Sequence, residues 1–322
     1  MSKIKTYREM INSKIKNIRI IGSPDELYKP INYILSLKSK RVRPILSLLS
    51  YSLFDKKIEK VTGPSIALEF FHNFTLIHDD IMDNADIRRG KNTIHKKWNK
   101  NIGILSGDLL MIFAFKMLEN IDDESFKKTF KRFNNIAIKV CEGQQYDMNF
   151  ETKSQISEEE YLTMITLKTA VLIGFSLELG GLIANQEKGI TEKLYCAGEK
   201  IGISFQLMDD YLDVFGNSEF GKKIGGDILS NKKTYLIIKL LEKSNSNDKK
   251  TILKLMNNDD QDENKIKFIT DMMIKYQIDK ISKNKMDSFF KEGIELLNDI
   301  SGNSISFTNL KNYFKKIRNR QS

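Results

Sequence analysis

Two short acidic motifs contain the residues of this chain that are best suited to chemistry. Each follows the pattern D-D-x-x-D, first in LIHDDIMD and again in FQLMDDYLD. On an α-helix, residues four positions apart lie about 40° apart around the axis, so Asp79 and Asp83 point the same way. Their like charges repel, and the apolar residues before them predict a buried helix. A bound cation would stabilise this arrangement.

A single D-D-x-x-D motif is more often a solvated acidic surface than a metal site. This chain has such surfaces, because Asp122-Asp123 and Asp259-Asp260 lie in polar stretches. The two motifs differ from them, since both lie in apolar sequence and basic residues follow both, in RRGK and in GKKIGGDILSNKK. Carboxylates without a histidine or cysteine cluster favour Mg²⁺ or Mn²⁺, and neighbouring bases favour an oxyanion. Together they predict a diphosphate site.

The elements that carry these motifs are predicted to be helices. All four prolines lie at or before Pro64, which leaves the rest of the chain open to long uninterrupted helices and predicts an all-α fold. We expect Ser23 to cap an early helix, the first motif to lie on a helix over residues 64–86, and another helix over 126–150. A long apolar helix follows SEEE, and Lys168 interrupts its hydrophobic run.

Composition limits the class of protein. The formal net charge of +10 could reflect a nucleic-acid or membrane partner, but the lysines are spread along the chain and no nucleic-acid motif is recognised, so a solvated surface is favoured. Cys141 and Cys196 are too few for a disulfide framework and are expected to be reduced. The N-terminus lacks a signal peptide's hydrophobic core, and no window approaches the roughly eighteen apolar residues of a membrane span. These features predict a cytoplasmic enzyme without stable membrane insertion.

Both motifs, in this order and with GKKIGGDILSNKK after the second, resemble those of the trans-isoprenyl diphosphate synthases. These are the polyprenyl synthetases, which include farnesyl and geranylgeranyl diphosphate synthases. The sequence around the motifs is most similar to that of bacterial members. The resemblance runs from about Leu27 to Leu241. It implies one domain over residues 1–322, an all-α helical bundle around a deep central cavity, with the helices of 242–322 buttressing the core. The two motifs would face each other across the mouth of that cavity.

The resemblance also implies roles for individual residues and a requirement for three Mg²⁺ ions, with Mn²⁺ as a substitute. Asp79, Asp83 and Asp209 match the direct metal ligands, and Asp80, Asp210 and Asp213 match residues that support them. The residues that match the allylic diphosphate site are Arg88, Lys168, Lys222 and Lys232. Those that match the isopentenyl diphosphate site are Lys40, Arg43, His72 and Arg89. Thr169 and Gln206 match groups whose oxygens face the developing allylic cation.

The activity implied is that of a short-chain prenyltransferase. It would join isopentenyl diphosphate head to tail to dimethylallyl, geranyl or farnesyl diphosphate, as a homodimer packed through helices near the first motif. In the family, bulky residues four, five or eight positions before the first aspartate close the cavity, and here these are Thr75, Phe74 and Phe71. Long-chain members commonly have alanine where this chain has Phe74. A C15 to C20 product is therefore expected.

Two differences from the family pattern affect the predicted site. The family commonly has Gly-Gly-Lys-Arg where this chain has KSKR, which makes the isopentenyl diphosphate loop stiffer and more basic. Asn231 replaces a frequent glycine. The doublet Lys222-Lys223 leaves open which lysine reaches the phosphate.

Several other functions are compatible with parts of this pattern. A longer-chain polyprenyl diphosphate synthase would share both motifs. A non-catalytic partner subunit of a heteromeric synthase usually has eroded aspartates, whereas both motifs are complete here. A terpene cyclase shares the first motif but normally has an N-S-E type motif in place of the second. A basic helical protein that binds nucleic acid is the least favoured.

Overall fold

Helices make up almost all the regular structure of the computed structural model, which describes residues 3–18, 20–119, 121–216, 224–256, 263–300 and 304–318. Up to residue 152 they are α1 (Lys3–Asn17), α2 (Asp25–Ser36), α3 (Val42–Tyr51), α4 (Glu59–Met82), α5 (Ile94–Lys97), α6 (Lys100–Lys116) and α7 (Asp123–Thr152). After it they are α8 (Glu158–Ile165), α9 (Val171–Ile183), α10 (Lys188–Phe215), α11 (Gly226–Leu229), α12 (Tyr235–Lys243), α13 (Ser246–Met256), α14 (Glu263–Lys275), α15 (Ile278–Asn298) and α16 (Ser304–Arg318). A π-helix, Thr166–Ala170, joins α8 to α9, and strands β1 (Ile87–Arg88) and β2 (Lys91–Asn92) follow α4. The predicted all-α fold is confirmed.

Contacts divide the chain into two compact units. Unit 1 comprises Met1–Ile136, Leu172–Tyr195 and Asn298–Ser322, and unit 2 comprises Ala137–Val171 and Cys196–Leu297. The first aspartate motif belongs to unit 1 and the second to unit 2. The organisation of residues 1–322 as one domain with a central cavity stays a prediction.

Unit 1 is built around α4, which packs mainly against α6 and α3. Gly107 of α6 permits this close approach, because a Cβ there would lie 2.4 Å from the His78 ring on α4. Aromatic rings fill the core beside it, with Phe133 placed 5.3 Å from Phe71 and 5.6 Å from Phe175 between ring centres. The helix that carries the first motif is therefore buried along most of its length.

Unit 2 contains the π-helix and α10 from Cys196 onward. Its core includes Tyr161, Leu207, Tyr235 and Met286, all buried. Two glycines bring helices into backbone contact there. A Cβ on Gly143 of α7 would lie 2.2 Å from the backbone nitrogen of Lys168, and one on Gly202 of α10 would lie 2.7 Å from the Cα of Ala170. The π-helix is thus held on two sides by positions that accept no side chain.

Two helix starts differ from the sequence prediction. Ser23 is not a cap, because Pro24 occupies the N-cap position of α2 in an extended conformation and the helix begins at Asp25. The helix of the first motif runs over Glu59–Met82 rather than 64–86, with Pro64 inside it. Pro64 lacks the N–H that would bond to the preceding turn, so the helix continues through it against local propensity, within an α4 that packs on α3 and α6. The helix predicted over 126–150 is present as α7.

The expectation that no segment is apolar enough to span a membrane is wrong, because one helix is long and apolar enough by length and composition. The continuous helical segment Glu158–Ile183 has an 18-residue window with a mean hydropathy of 1.6, enough to pass a length and composition test. However, 67% of that window is buried within the protein. Such burial is what a core helix needs, so its apolar residues are accounted for by internal packing.

Candidate active site

A short hairpin after α4 positions two of the predicted arginines. Strands β1 and β2 pair antiparallel, with Arg88 opposite Lys91, and Arg89-Gly90 forms the turn between them. Both turn residues have positive φ, 54° for Arg89 and 75° for Gly90, as in the type I′ turns that match the twist of paired strands. Glycine adopts this backbone readily, whereas Arg89 does so at a cost. The hairpin therefore fixes the backbone of two adjacent arginines, Arg88 and Arg89.

Arg88 binds the buried middle aspartate of the first motif. Its Nε and Nη2 lie 2.9 and 2.5 Å from Asp80 Oδ1, and Nη2 lies 3.5 Å from Asp79 Oδ2. Burial raises the pKa of Asp80 and outweighs the opposing effect of Arg88. Burial works to lower the pKa of Arg88, but the hydrogen bond and charge of Asp80 prevail and raise it. Asp80 is therefore committed to a protein partner.

Asp79 and Asp83 keep the one-turn relation that the spacing predicts. Asp83 caps α4, and its N–H lies 2.8 Å from the Asp79 carbonyl oxygen. Carboxylate oxygens are the ligands that Mg²⁺ prefers, so these two residues fit such an ion. Within the described ranges, no three His, Cys, Asp or Glu side chains are already grouped as a metal site. Metal binding by the two motifs stays a prediction.

Four arginines surround His72 in unit 1. Burial, followed by the positive charges of Arg43, Arg89, Arg88 and Arg41, holds the pKa of His72 well below its usual range. Its imidazole is therefore neutral at physiological pH. Burial also lowers the pKa of Arg89, because its ionised form loses hydration. So many cations around one neutral ring favour an anionic ligand.

The structure thus brings together three of the four residues predicted to bind isopentenyl diphosphate, namely Arg43, His72 and Arg89. The fourth, Lys40, is exposed in the loop between α2 and α3, three positions before Arg43. Their roles in substrate binding stay predictions.

The three residues predicted to control product length have different surroundings. Phe71 is fully buried, with its ring centre 5.5 Å from that of Phe74. Phe74 is 7% exposed, and its ring meets His78 edge to face at 4.8 Å. Thr75 donates a hydrogen bond to the His72 carbonyl oxygen at 2.9 Å. Phe74 therefore lies at the margin of the aromatic cluster and Phe71 in its interior.

The second motif also has a buried middle aspartate. Asp210 accepts a hydrogen bond from Gln206 Nε2 at 3.1 Å and another from the Tyr161 hydroxyl. Burial, and then the charge of Asp227, raise the pKa of Asp210 to about 7. The preceding Asp209 is exposed. In both motifs, then, the middle aspartate is bound internally beside a more accessible one.

Lys168 and Thr169 lie on the π-helix, a form that is frequent at functional sites. Lys168 Nζ lies 2.6 Å from Asp147 Oδ2 on α7, which supplies the counterion that a lysine in an apolar run requires. Thr169 donates to Gln206 Oε1 at 3.1 Å. Gln206 in turn donates to Asp210, so one hydrogen-bonded chain links the π-helix to the second motif.

The segment after α10 is tied to the last aspartate of the second motif. Asp213 Oδ2 accepts a hydrogen bond from the Asp227 N–H at 2.9 Å, and Lys232 Nζ lies 3.9 Å from Asp227 Oδ1. Asn231 has a φ of 55°, which accounts for glycine being a frequent residue there. Lys222, and with it the choice within the lysine doublet, lies outside the described residues.

Some residues at the two motifs are not found by sequence reasoning. Glu69 and Asn73 are buried on α4 and contact arginines, and Tyr161 bonds to Asp210. Glu69 and Asn73 interrupt the apolar run IALEFFHNF four positions apart, and buried polar side chains need partners. That interruption is a signal from which both could have been found. Tyr161 has no comparable signal, because nothing local distinguishes it from other core aromatics.

Comparison with known proteins identifies a matching family and similar structures. Residues 24–273 match the family described as polyprenyl synthetase. The geranylgeranyl diphosphate synthase of Sulfolobus acidocaldarius is 36% identical over 305 residues, which cover 92% of both chains. A crystal structure of a geranylgeranyl pyrophosphate synthase is similar over 100% of both chains, with a TM-score of 0.94 and 39% identity. That of geranylgeranyl pyrophosphate synthetase from Pyrococcus horikoshii has a TM-score of 0.93 and 31% identity, over 99% of this chain and 98% of the other.

These matches cover nearly the whole chain, at identities that exceed what a shared fold alone requires. The similarity of the motif sequences to those of bacterial family members stays a prediction. The chain belongs to the polyprenyl synthetase family and is an all-α trans-prenyltransferase.

Proposed function

We propose that this enzyme joins isopentenyl diphosphate head to tail to an allylic diphosphate, namely dimethylallyl, geranyl or farnesyl diphosphate. The observation that carries the proposal is the cluster of arginines around His72, next to an aspartate motif on the same helix of unit 1. Guanidinium groups bind phosphate oxygens strongly, and a carboxylate pair beside them suits the metal that accompanies a diphosphate. The relatives named geranylgeranyl diphosphate synthases support the same substrate class.

The reaction has three steps, which are ionisation, addition and loss of a proton. The allylic carbon–oxygen bond breaks, and its electron pair leaves with the diphosphate. The double bond of isopentenyl diphosphate then forms a new carbon–carbon bond to the allylic cation. A proton is lost from the product to the released diphosphate, and a new double bond forms. The site must therefore neutralise the leaving group and keep water from the cation.

The residues divide between the two diphosphates. Those that would hold the allylic diphosphate are Arg88, Lys168, Lys222 and Lys232. Those that would hold isopentenyl diphosphate are Lys40, Arg43, His72 and Arg89. Because His72 is neutral, it can donate one hydrogen bond without repelling the arginines around it. Thr169 and Gln206 are hydrogen-bonded to each other and would direct oxygens at the cation.

Metal ligation would come from the accessible aspartates. Mg²⁺ bound by Asp79, Asp83 and Asp209 would supply additional positive charge to the leaving diphosphate. Asp80 and Asp210 are hydrogen-bonded to Arg88 and Tyr161 and would orient the ligands beside them. We expect three Mg²⁺ ions, with Mn²⁺ as a substitute.

Product length, assembly and location complete the proposal. The ring of Phe74, five residues before Asp79, favours a product of C15 to C20, and the relatives named geranylgeranyl diphosphate synthases favour C20. A homodimer is favoured by apolar side chains that α6 exposes, Leu105 and Ile112, each 59% accessible. We place the enzyme in the cytoplasm.

A product assay tests this function. Purified protein is incubated with labelled isopentenyl diphosphate, Mg²⁺ and each allylic primer, and a prenyl diphosphate longer than the primer by five carbons or more is expected. A cyclised hydrocarbon would indicate a terpene cyclase, and a product beyond C20 a long-chain synthase. Absence of any product from well-folded protein would favour a non-catalytic subunit.

Metal ligation is tested with the same assay. Asp79→Ala and Asp209→Ala should each reduce turnover by about a thousandfold or more, as should chelation, because the leaving group loses neutralising charge. Asp86→Ala is the matched control. Asp86 lies in the loop after the first motif and pairs with Lys96 at 2.8 Å, so its loss should leave turnover near that of the wild type. Near-normal turnover in either motif variant would contradict that aspartate's assignment.

A further inference from the structure

Three arginines from two loops contact a single line of buried polar residues on α4. The line consists of Glu69, Asn73 and Asp80, which lie within about 40° of one another around the helix axis. The three pairs are Arg41 Nη1 to Glu69 Oε1 at 2.6 Å, Arg89 Nη1 to Asn73 Oδ1 at 3.3 Å, and Arg88 Nη2 to Asp80 Oδ1 at 2.5 Å. We call this set the arginine ladder. It connects two loops that carry predicted diphosphate ligands, the one between α2 and α3 and the β1–β2 hairpin, to one helix.

Arg41 uses its whole guanidinium group within the protein. Besides Glu69 on α4, its Nη2 donates to the Leu35 carbonyl oxygen at 2.8 Å on α2, and its Nε donates to Asn12 Oδ1 at 3.0 Å on α1. The side chain is 4% exposed. Its backbone is left-handed, with a φ of 50°, a conformation that persists only where the surroundings enforce it. Arg41 therefore anchors the loop between α2 and α3 rather than binding a ligand.

Glu69 is the residue that holds this anchor. Its side chain is 1% exposed, and Oε1 accepts from Arg41 Nη1, from the Ser39 hydroxyl at 3.2 Å and from Asn73 Nδ2 at 3.3 Å. Asn73 in turn accepts from Arg89, the arginine of the hairpin turn. A single carboxylate thus joins the loop before α3 to the hairpin after α4.

We propose that Glu69 is a positioning residue for the isopentenyl diphosphate site. It touches no substrate, but it fixes Arg41, and Lys40 and Arg43 lie one and two positions from Arg41. A shift of Arg41 would therefore displace both predicted ligands, and through Asn73 it would loosen Arg89. This inference rests on the proposed function, because it assigns the part of the ladder formed by Glu69, Arg41 and Arg89 to the isopentenyl diphosphate site.

The main test is Glu69→Gln, which keeps the side chain's size and its ability to accept a hydrogen bond but removes its charge. We expect the KM for isopentenyl diphosphate to rise about tenfold, with the KM for the allylic diphosphate changed less than about twofold. The matched control is Glu178→Gln. Glu178 is buried in unit 1 and pairs with Arg132 Nε at 2.7 Å, so it reports the cost of breaking a buried ion pair elsewhere. It should change neither KM selectively.

Two milder variants extend the test. Arg41→Lys keeps the positive charge but loses the planar fork that reaches three helices, and it should raise the same KM selectively. Ser39→Ala removes one hydroxyl contact to Glu69 and should give a smaller rise in the same direction. Ser39 is only half-buried, so its loss decides the matter if the larger changes prevent folding. An equal rise in both KM values, or none, overturns the inference. If wild-type protein forms no elongated product, it is the proposed function that fails.

Discussion

The middle aspartates of the two motifs are buried in chemically different ways. Asp80 accepts from a guanidinium group, whereas the two hydrogen bonds described for Asp210 come from neutral donors, Gln206 and Tyr161. Burial raises the pKa of both carboxyl groups, but the Arg88 cation opposes that rise at Asp80, whereas the charge of Asp227 adds to it at Asp210, whose pKa rises to about 7. Two motifs with the same D-D-x-x-D pattern therefore present different electrostatic environments to the residues beside them.

Phe74 gives a prediction about product length at the level of one side chain. Replacing it with alanine removes a ring that packs on Phe71 and His78, at an expected cost of about 3–5 kcal/mol in stability. Space then opens below the first motif, so the product distribution should shift toward longer chains, measured by chromatography of the dephosphorylated products. Phe314→Leu, a change at a fully buried position on α16 of the same unit, is a control for general loosening of the core. Unchanged products at a reduced rate would show that Phe74 only packs.

Individual site residues can be predicted from the sequence where spacing or composition is informative. The turn relation of Asp79 and Asp83 follows from helix geometry, and a lysine in an apolar run predicts a counterion, which is Asp147 for Lys168. The role of Tyr161 cannot be predicted in this way, because its partner, Asp210, is 49 positions away along the chain. Contacts between distant segments leave no local trace unless a polar residue interrupts an apolar run.

At the scale of elements, most helices follow from the sequence, and their irregularities do not. Apolar periodicity and few breakers predict α7 and the long helix after Ser157, whose capping box with Glu160 is present. The π-helix depends on close approach by Gly143 and Gly202, which belong to other helices. The start of α4 depends on packing that tolerates Pro64. Tertiary contacts, and not propensity, determine these features.

Gly143 offers a test of the π-helix as an element. A methyl group there would meet the backbone nitrogen of Lys168 at 2.2 Å, and a backbone atom cannot turn aside. Gly143→Ala should destabilise the protein by about 1–3 kcal/mol and lower turnover, because Lys168 is displaced from Asp147. Both effects are measured by thermal unfolding and by the product assay.

The control for this substitution is Gly189→Ala in α10. A Cβ at Gly189 meets no atom within 4 Å, so alanine should be neutral or stabilising by up to about 1 kcal/mol. If Gly143→Ala behaved like this control, the close approach would have no role in holding the π-helix.

Glu158 at the start of α8 gives a prediction about pH. It pairs with Lys239 of α12 and with Lys285 of α15, the latter at 2.7 Å. Burial works to raise the pKa of Glu158, but the two lysines outweigh it and lower the pKa below 4.5. Its ionised form thus favours the folded state, and this stabilisation is present above about pH 4.5 and is lost as the pH falls through the folded-state pKa.

The measurement compares Glu158→Gln with the wild type. The variant should lose about 1–3 kcal/mol at pH 7, because both lysines lose an ionised acceptor, and the difference should shrink as the solution is acidified toward pH 3. A difference that stays constant from pH 7 to pH 3 would refute the assignment. Glu187→Gln, a substitution between α9 and α10, controls for general effects of removing a carboxylate.

At the scale of the whole molecule, the excess positive charge is more localised than the spread of lysines suggests. Helices α1 and α16, which contact each other in unit 1, contain nine Lys and Arg residues and one acidic residue. They account for +8 of the formal net charge of +10. The rest of the chain is therefore close to neutral, so the arginines around His72 are a local arrangement and not a sample of a generally basic surface.

Assembly can be tested on the exposed face of α6. Leu105 and Ile112 lie two turns apart on it, each 59% accessible, and burial of such residues would favour a homodimer. The double change Leu105→Asp with Ile112→Asp should therefore convert a dimer to a monomer in sedimentation at micromolar concentration. Ile274→Asp is the control, since Ile274 is 57% accessible on α14 of unit 2. A wild-type monomer under active conditions would contradict the homodimer.

The π-helix between α8 and α9 has a consequence for changes in chain length. A π-turn holds one more residue than an α-turn, so the 26-residue segment Glu158–Ile183 behaves as a helix with one residue in surplus. Deleting that residue would allow a regular helix and leave α8 and α9 nearly in phase, because the longer turn and the shorter one complete about the same rotation, but it would change which side chains lie on the turn between them. Lys168 and Thr169 would then no longer both reach Asp147 and Gln206. A deletion that improves the regularity of the helix should thus abolish the contacts that the surplus residue makes possible.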